Sequence, residues 1–393
     1  MKTVGIICEY NPFHLGHLGQ IEKTKEAIGE ETNIVCVMSG NFVQRGDFAI
    51  FNKHARAKMA VMCAADIVIE LPTPYALQSA GGFAKAGVHL LDSLGVCDYI
   101  SFGSESGNIE ELKNAAGIIN TQEAHMYIKD GLSVGLSYAA AQQQAADFIL
   151  GDSSHVFKTP NNILAIEYIK ALNESKSKMQ PITVPRTGAA HDSDTGYSAS
   201  ALRKSLMYGN IPVESMPGAA VAVTMEEMVL GRGPVSINDV EQAILSRLRA
   251  IDDFSQVPGG ADGLDRRFLK YAGSMPSVAS VMENIKAKRY AMSRIRRMLM
   301  CAVLGIKNDD IKDPPPYIRI LAVNKKGMGI LKGARKKSIL PIITKPASIC
   351  KQDRQVVRIF NIEASATDFY ALSYKNEENR SGGGEWRQSP VIC

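Results

Sequence analysis

Two imidazoles three residues apart, His14 and His17, are the side chains of this sequence best suited by type and spacing to do chemistry. Helix positions i and i+3 share a face, so both rings can meet one ligand. The preceding run Val4-Gly5-Ile6-Ile7-Cys8 is short and apolar and reads as a buried strand; Leu18 to Ile28 reads as a helix. The pair therefore stands where a strand hands over to a helix. A first helical turn carries unsatisfied N–H groups and the positive end of the helix dipole, which attract phosphate. Gly16 keeps side-chain bulk away so that a ligand can approach the backbone. Asn11-Pro12 is a turn signal that sets how the strand exits.

The elements that must position these residues are bounded by length and composition. A chain of 393 residues predicts two domains. The Gly-, Pro- and Met-rich stretch from Gly209 to Pro234 reads as their connection, which divides the chain into 1–210 and 211–393. Apolar content of 45% beside 22% charged residues is ordinary for a globular protein. No apolar run approaches the roughly 18 residues of a membrane span. The chain enters a strand at once without a signal-peptide pattern, so a cytoplasmic address and no membrane partner are expected. Seven scattered cysteines with no C-x-x-C pair indicate neither a disulfide framework nor a zinc site, and no protein metal site is expected.

In the first half, apolar runs alternate with helical stretches. After the first strand come Asn33–Met38, Asp66–Glu70 and Tyr99–Phe102, with a weaker run at Pro181–Val184. His54–Ala64, Gly82–Leu94 and Ile109–Ile119 lie between them with helical periodicity. This alternation predicts an α/β fold with a doubly wound parallel sheet, whose ligands sit beyond the carboxyl ends of the strands. Each strand exit is thus a site candidate. Ser39 to Asp47 offers Asn41, Gln44 and Arg45 as hydrogen-bonding groups; Glu70-Leu71-Pro72 ends a strand at a carboxylate; Gly103-Ser104-Glu105 lets a base or ribose pack on backbone. Asn161 opens a helix running to Leu172 and is positioned as an N-cap. Arg186 leaves the weak fifth strand as a cation on the same edge, able to hold a phosphate bidentately.

The second half is helical and basic. Helices are expected over Val240–Ile251, Asp265–Ala272 and Ser277–Leu304, the last broken near Tyr290. Between Lys270 and Phe360 there are 20 Lys and Arg against 5 Asp and Glu, while the whole chain carries only +5, so the remainder is acidic. Lys286, Lys288, Arg289, Arg294, Arg296 and Arg297 form the densest run, read as a track for a phosphate backbone, with RNA as the partner. Tyr317–Asn324, a basic helix with Lys332, Arg335, Lys336 and Lys337, and Ile339–Thr344 make a small βαβ-like unit.

His14-Leu15-Gly16-His17 resembles the HxGH signature of the nucleotidyltransferases and class I aminoacyl-tRNA synthetases. Ser198-Ala199-Ser200-Ala201-Leu202-Arg203 resembles the second signature of that superfamily, a serine-rich turn into a helix whose arginine grips the triphosphate tail. No KMSKS-like loop is present, which argues against a synthetase proper. Across essentially the whole length the chain resembles the bacterial tRNA(Met) cytidine acetate ligase family, on Val4–His17, Met38–Asp47, Asp66–Pro72, Ser101–Glu105, Pro160–Leu172, Arg186–Gly188, Ser198–Arg203, Arg294–Arg297 and the closing Ser389–Ile392.

The resemblance implies that ATP, with Mg²⁺, activates acetate to acetyladenylate. It further implies that the acetyl group passes to the wobble cytidine of elongator tRNA(Met), giving N4-acetylcytidine. It assigns catalysis to His14 and His17. It assigns the nucleotide to Ile7, Cys8, Glu9, Tyr10, Asn11, Pro12, Phe13, His14, Leu15, Gly16, His17, Leu18, Gly19 and Gln20, together with Gly103, Asn161, Arg186 and Arg203. After Arg186 the sequence reads Thr-Gly-Ala-Ala-His-Asp, where the family more often has Tyr-His-Asp after the glycine, so His191 has no assigned role. Two alternatives stay open on the residues alone. A small-molecule adenylyl- or cytidylyltransferase would share the first half and leave the basic half unexplained. A non-catalytic RNA-binding protein on the same fold would leave both signatures unexplained.

Overall fold

Each apolar run of the first half becomes a strand, largely buried in the first four and partly exposed at Pro181–Val184, and each parallel neighbour is reached through a helix. The computed structural model describes residues 1–29, 31–186 and 198–393. Its strands are β1 (Thr3–Cys8), β2 (Asn33–Ser39), β3 (Phe42–Val43), β4 (Asp47–Phe48), β5 (Ile67–Leu71), β6 (Tyr99–Ser104), β7 (Gln180–Pro185), β8 (Ile318–Val323), β9 (Ile342–Ile343) and β10 (Val391–Ile392). The main sheet has the order β10-β8-β5-β2-β1-β6-β7, with β9 on β8. β5, β2, β1, β6 and β7 run parallel. Chain direction outward from β1 reverses between β2 and β6, so the crevice beyond the carboxyl ends of β1 and β6 is the topological switch point, where such sheets bind ligands. β1 ends at Cys8 and leads straight into His14 and His17.

The strands are buried on both faces because helices cover both. One face packs Val37, Ile69 and Ile100 against the helices Ala80–Leu94 and Pro160–Ser175. The other packs Val4, Ile6, Cys36 and Met38 against Lys53–Cys63 and Gly218–Val229. Among the described residues no helix is long and apolar enough to cross a membrane.

The second half does not stay apart from this sheet. β8 pairs antiparallel with β5, matching Ile67 with Val323 and Val68 with Ala322, and β10 pairs parallel with β8. All six residues of β8 are buried. Without it, the apolar strand Ile67–Leu71 would be an open edge, able to pair with another chain. An apolar run carries no record of its partner, so this pairing was not readable beforehand. β8 and β9 are parallel around the helix Lys325–Lys337, as the βαβ-like reading expects.

The expected helix Ser277–Leu304 is two helices, Val278–Ile285 and Met292–Leu304, parted around Tyr290, whose hydroxyl donates to the Asp262 carbonyl (2.5 Å). The segment after β2 also belongs to this half. β3 and β4 form a small antiparallel hairpin pairing Phe42 with Phe48, and both rings lie in one apolar cluster with Val281, Ile295, Met298, Phe369 and Tyr370.

Candidate functional site

At the switch point the chain leaves β1, turns at Tyr10 in a left-handed conformation (φ 43°) and enters the helix Leu15–Ile28 through His14 as its N-cap. The imidazole of His14 takes the capping role usually filled by Ser or Asp: its Nδ1 accepts the Gly16 N–H at 3.0 Å. His17 Nδ1 faces the His14 N–H at 3.3 Å, and the two rings stack with centroids 3.7 Å apart. Because each Nδ1 accepts, each neutral ring carries its proton on Nε2, and a pair of N–H donors results. Gly16 also serves the histidine pair itself. A Cβ there would lie 2.9 Å from the His14 ring, so the glycine makes room for the catalytic candidate itself. Tyr10 and Phe13 are buried and brace His17, with ring centroids 4.8 and 5.7 Å away. Of the predicted nucleotide segment, Ile7, Tyr10, Asn11, Pro12, Phe13 and His14 are thus mostly covered, Leu15 and Gly16 are exposed, and Cys8, Glu9, His17, Leu18, Gly19 and Gln20 are half-covered.

Arg203 reaches this corner from the far end of the first half. Ser198 caps its helix, Ala199–Met207, by accepting the Ala201 N–H, and Arg203 Nη1 donates to the Asn11 carbonyl at 3.0 Å. Burial lowers the guanidinium pKa, against the pull of Glu9 and Asp47. The two signatures, nearly two hundred positions apart, therefore meet.

A second group gathers at the carboxyl ends of β6 and β7. Ser104 is in register with Pro185, so Gly103 lies under Arg186, whose Cγ would be 3.0 Å from a Cβ at that glycine. Arg186 Nη1 donates to Asn161 Oδ1 (3.0 Å), and Asn161 Nδ2 donates to Glu105 Oε1 (2.5 Å). Glu105 Oε2 accepts the Asn162 N–H, while Asn162 Oδ1 accepts the N–H groups of Glu105 and Ser106. Burial works against the Glu105 carboxylate, but these bonds outweigh it and hold its pKa below the ordinary value. Asn161 is not the N-cap that its position suggested. Thr159 occupies that place and Pro160 the first turn, which sets Asn161 one residue inside with its amide aimed at Glu105 and Arg186. Asn162, the fastener between the strand exit and the helix, gave no signal in the sequence. Replacing Asn161 by alanine takes away the acceptor of Arg186 and one donor to Glu105, which keeps the Asn162 N–H; the assignment of Asn161 to the nucleotide by resemblance then predicts a KM for ATP about tenfold higher, in line with about 1–3 kcal/mol for breaking such a bond, read by titrating ATP in pyrophosphate exchange. Thr187, Gly188, His191 and Tyr197 lie outside the described residues.

Two expectations for the strand exits are overturned. Asn41 is buried at 1% exposure, with Oδ1 accepting the Lys53 N–H and Nδ2 donating to Thr367, so it fastens the loop. Glu70 is fully buried rather than facing the ligand edge. Lys53 Nζ sits 2.6 Å from Glu70, 3.0 Å from Glu363 and 2.7 Å from Glu385, and Arg319 pairs with Glu385 at 3.3 Å. Burial alone would lower the Lys53 pKa, but the three carboxylates raise it well above normal. Burial and the neighbouring Glu363 push the Glu70 carboxyl up, only partly offset by Lys53. Arg56, also fully buried, donates to the carbonyls of Glu9, Ser39, Gly40 and Phe51 and so ties the β1 and β2 exits together. A lysine and an arginine on one helix read as solvated surface, which hid both roles. Gln44 braces the same corner through its N–H to Glu9 Oε1 (2.6 Å), and Arg45 is exposed.

The predicted RNA track divides. Arg294 donates to the carbonyls of Gly259 and Ala261 and pairs with Asp262 at 3.1 Å, so it fastens a loop. Lys286 donates to the Tyr290 carbonyl. Burial lowers the Arg297 pKa. Arg296 stands 3.9 Å from Asp47 of β4. Lys288 and Arg289 are exposed, and no described acid lies within 4.0 Å of either.

A parallel sheet with a stacked histidine pair at its switch point, and an arginine from a second signature bonded to the nearby Asn11 carbonyl, defines a nucleotidyltransferase-type site. Residues 1–385 match the family model of the HIGH nucleotidyl transferases. The tRNA(Met) cytidine acetate ligase of Acetivibrio thermocellus is 37% identical over the full length of both chains, and that of Caldanaerobacter subterraneus subsp. tengcongensis is 40% identical over 96% of both. The crystal structure of Thermotoga maritima TmcAL bound with alpha-thio ATP superposes with a TM-score of 0.92 at 32% identity, covering 100% of this chain and 99% of that one. The chain belongs to the tRNA(Met) cytidine acetate ligase family within the HIGH nucleotidyl transferases.

Proposed function

We propose that this protein is an ATP-dependent ligase that activates acetate as acetyladenylate and acetylates N4 of the wobble cytidine of elongator tRNA(Met) in the cytoplasm. The observation that carries the reading is the stacked His14–His17 pair at the switch point, with both Nδ1 atoms accepting backbone N–H groups of the first helical turn. An acetate oxygen attacks the α-phosphorus, the bond to pyrophosphate breaks, and negative charge grows on the phosphate oxygens. Nε2–H donors and the first-turn N–H groups of the helix Leu15–Ile28 stabilise that charge. Arg203 and Arg186 hold the triphosphate from the two sides of the crevice, and Gly103 lets the nucleoside lie on backbone. Among the described residues no cluster of three or more His, Cys, Asp or Glu could hold a metal ion. Mg²⁺ would arrive with ATP, held by phosphates and water, and supply charge neutralisation.

Acetate-dependent pyrophosphate exchange, measured with and without tRNA, tests the reading. Exchange that requires acetate selects the ligase; exchange that requires a phosphorylated metabolite instead selects a small-molecule transferase; no exchange selects a binding protein. The basic residues supply the tRNA arm of the proposal. Reversing Lys288 and Arg289 to glutamate is expected to weaken tRNA binding at least tenfold and to reduce the slope of log affinity against log salt by about 1.4–1.8, two phosphate contacts' worth. Filter binding across a salt series reads both, and an unchanged slope would remove these two side chains from the contact.

A further inference from the structure

We infer that Asp47 is the proton acceptor of the acetyl-transfer step, taking the proton from the exocyclic amine of the acceptor cytosine; the inference rests on the function proposed above. Asp47 ends the loop that leaves β2 and begins β4 of the hairpin. Its side chain is 41% exposed. Oδ1 accepts the Phe48 N–H at 2.8 Å, and Oδ2 lies 3.9 Å from Arg296 Nη1, beyond hydrogen-bond reach. One carboxylate oxygen is thus held still and the other faces a cation without being capped by it.

The position of this carboxylate is set from both sides of the crevice. On the nucleotide side, Asn11 Oδ1 accepts the Ile50 N–H (2.7 Å), Glu9 Oε1 accepts the Gln44 N–H (2.6 Å), and Arg203 holds the Asn11 carbonyl. On the side of the basic helix, Gly46, in the left-handed region (φ 77°), lies against the backbone of Arg296 and Arg297. A Cβ there would be 2.4 Å from the Arg297 nitrogen. Asp47 therefore stands between the corner where an acetyladenylate would form and the first turns of the helix Met292–Leu304, which follows the exposed Lys288 and Arg289 and carries the half-exposed Arg296. An acceptor base delivered along that helix meets Asp47 beside the acyl group.

Other groups at this edge are committed. Glu105 accepts Asn161 and Asn162, and Glu70, Glu363 and Glu385 are sealed around Lys53, while Glu9, with Oε1 accepting the Gln44 N–H, belongs to the β1 exit on the nucleotide side of the crevice. His14 and His17 accept through Nδ1 and offer N–H donors. Burial raises the Asp47 carboxyl above its ordinary range, opposed by the Phe48 N–H and by Arg296 and Arg203, the two charged groups that face it, which makes it a stronger base. In the step itself, the N4 lone pair bonds to the acetyl carbonyl carbon and the carbon–oxygen bond to the adenylate phosphate breaks. AMP leaves with that electron pair, and the N4 proton passes to Asp47 and then to water.

The test uses the full-length protein with ATP, acetate and unmodified tRNA(Met), comparing wild type, Asp47→Asn and Asp47→Glu. The ratio of acetyl transfer to acetate-dependent pyrophosphate exchange is expected to fall by about 10²-fold or more in Asp47→Asn, with partial recovery in Asp47→Glu. Wild-type transfer should rise with pH through one ionisation that Asp47→Asn lacks. A ratio within about threefold of wild type, a parallel loss of exchange, transfer and thermal stability, or an ionisation that persists in Asp47→Asn would overturn the assignment. Wild-type protein with no acetate-dependent exchange would instead sink the proposed function, and the inference with it.

Discussion

Replacing His17 by alanine should lower acetate-dependent pyrophosphate exchange by about 10²–10³-fold while leaving tRNA affinity within about twofold of wild type, the size of loss seen when one donor to a developing oxyanion is removed. His14→Ala should lose at least as much, because two functions go together. The His14 ring stacks on His17 and caps the helix by accepting the Gly16 N–H, so its removal both takes away one imidazole of the pair and uncaps the helix. His17 sits inside the first turn with Tyr10 and Phe13 around it, so its removal acts more purely on the chemistry. Gly16→Ala should resemble His14→Ala without touching either imidazole, since the added methyl occupies the space of the His14 ring. Exchange assays and filter binding on the three variants check this; wild-type exchange in His17→Ala would detach the motif from adenylate formation.

Lys53→Met should cost about 3–5 kcal/mol of folding stability, read as a lower urea midpoint at unchanged slope. Lys53 has no exposure and holds three carboxylates that come from β5, from the helix Arg354–Ala371 and from the turn Gly384–Arg387. Without the ammonium, Glu385 keeps Arg319 and Glu363 keeps the Thr73 N–H, while Glu70 loses its cation. Glu70→Gln should cost far less, about 1 kcal/mol, because burial and Glu363 already favour its protonated form. The sign of its pH dependence follows. A carboxyl whose pKa is raised on folding contributes its stability fully below the unfolded value, and that contribution fades as pH climbs through the raised one. A Lys53→Met midpoint equal to that of wild type would mean the cluster relaxes by taking up protons. The effect would reach the site as well: a Cβ at Gly40 would be 3.0 Å from Glu70 and 3.1 Å from Glu363, so the turn after β2 rests on this cluster.

Which residues were legible depended on how local their reasons were. The five parallel strands follow from short apolar runs, and the histidine corner from a strand, a turn and a helix written consecutively. Asn41, Glu70 and Arg294 misled because a polar residue at a strand exit or on a basic stretch looks the same whether it meets a ligand or a buried partner. Asn41 meets Lys53 and Thr367, Glu70 meets Lys53, and Arg294 meets the loop at Gly259 and Ala261. Lys53 and Arg56 were invisible for the converse reason: helical cations usually face water.

By itself, the order of residues determined the doubly wound sheet, the histidine pair at its first strand-to-helix junction and the concentration of positive charge in the second half, because hydrophobic periodicity, turn chemistry and charge are properties of neighbours along the chain. Only the tertiary structure decided that β8 seals the edge at β5, that Arg203 reaches Asn11, that five charged side chains are sealed together beneath Gly40, and that Asp47 stands between the nucleotide corner and the basic helix. Those contacts join residues separated by up to hundreds of positions. What selects them is the cost of leaving an edge or a charge unpartnered, and that cost exists only once the chain has closed on itself.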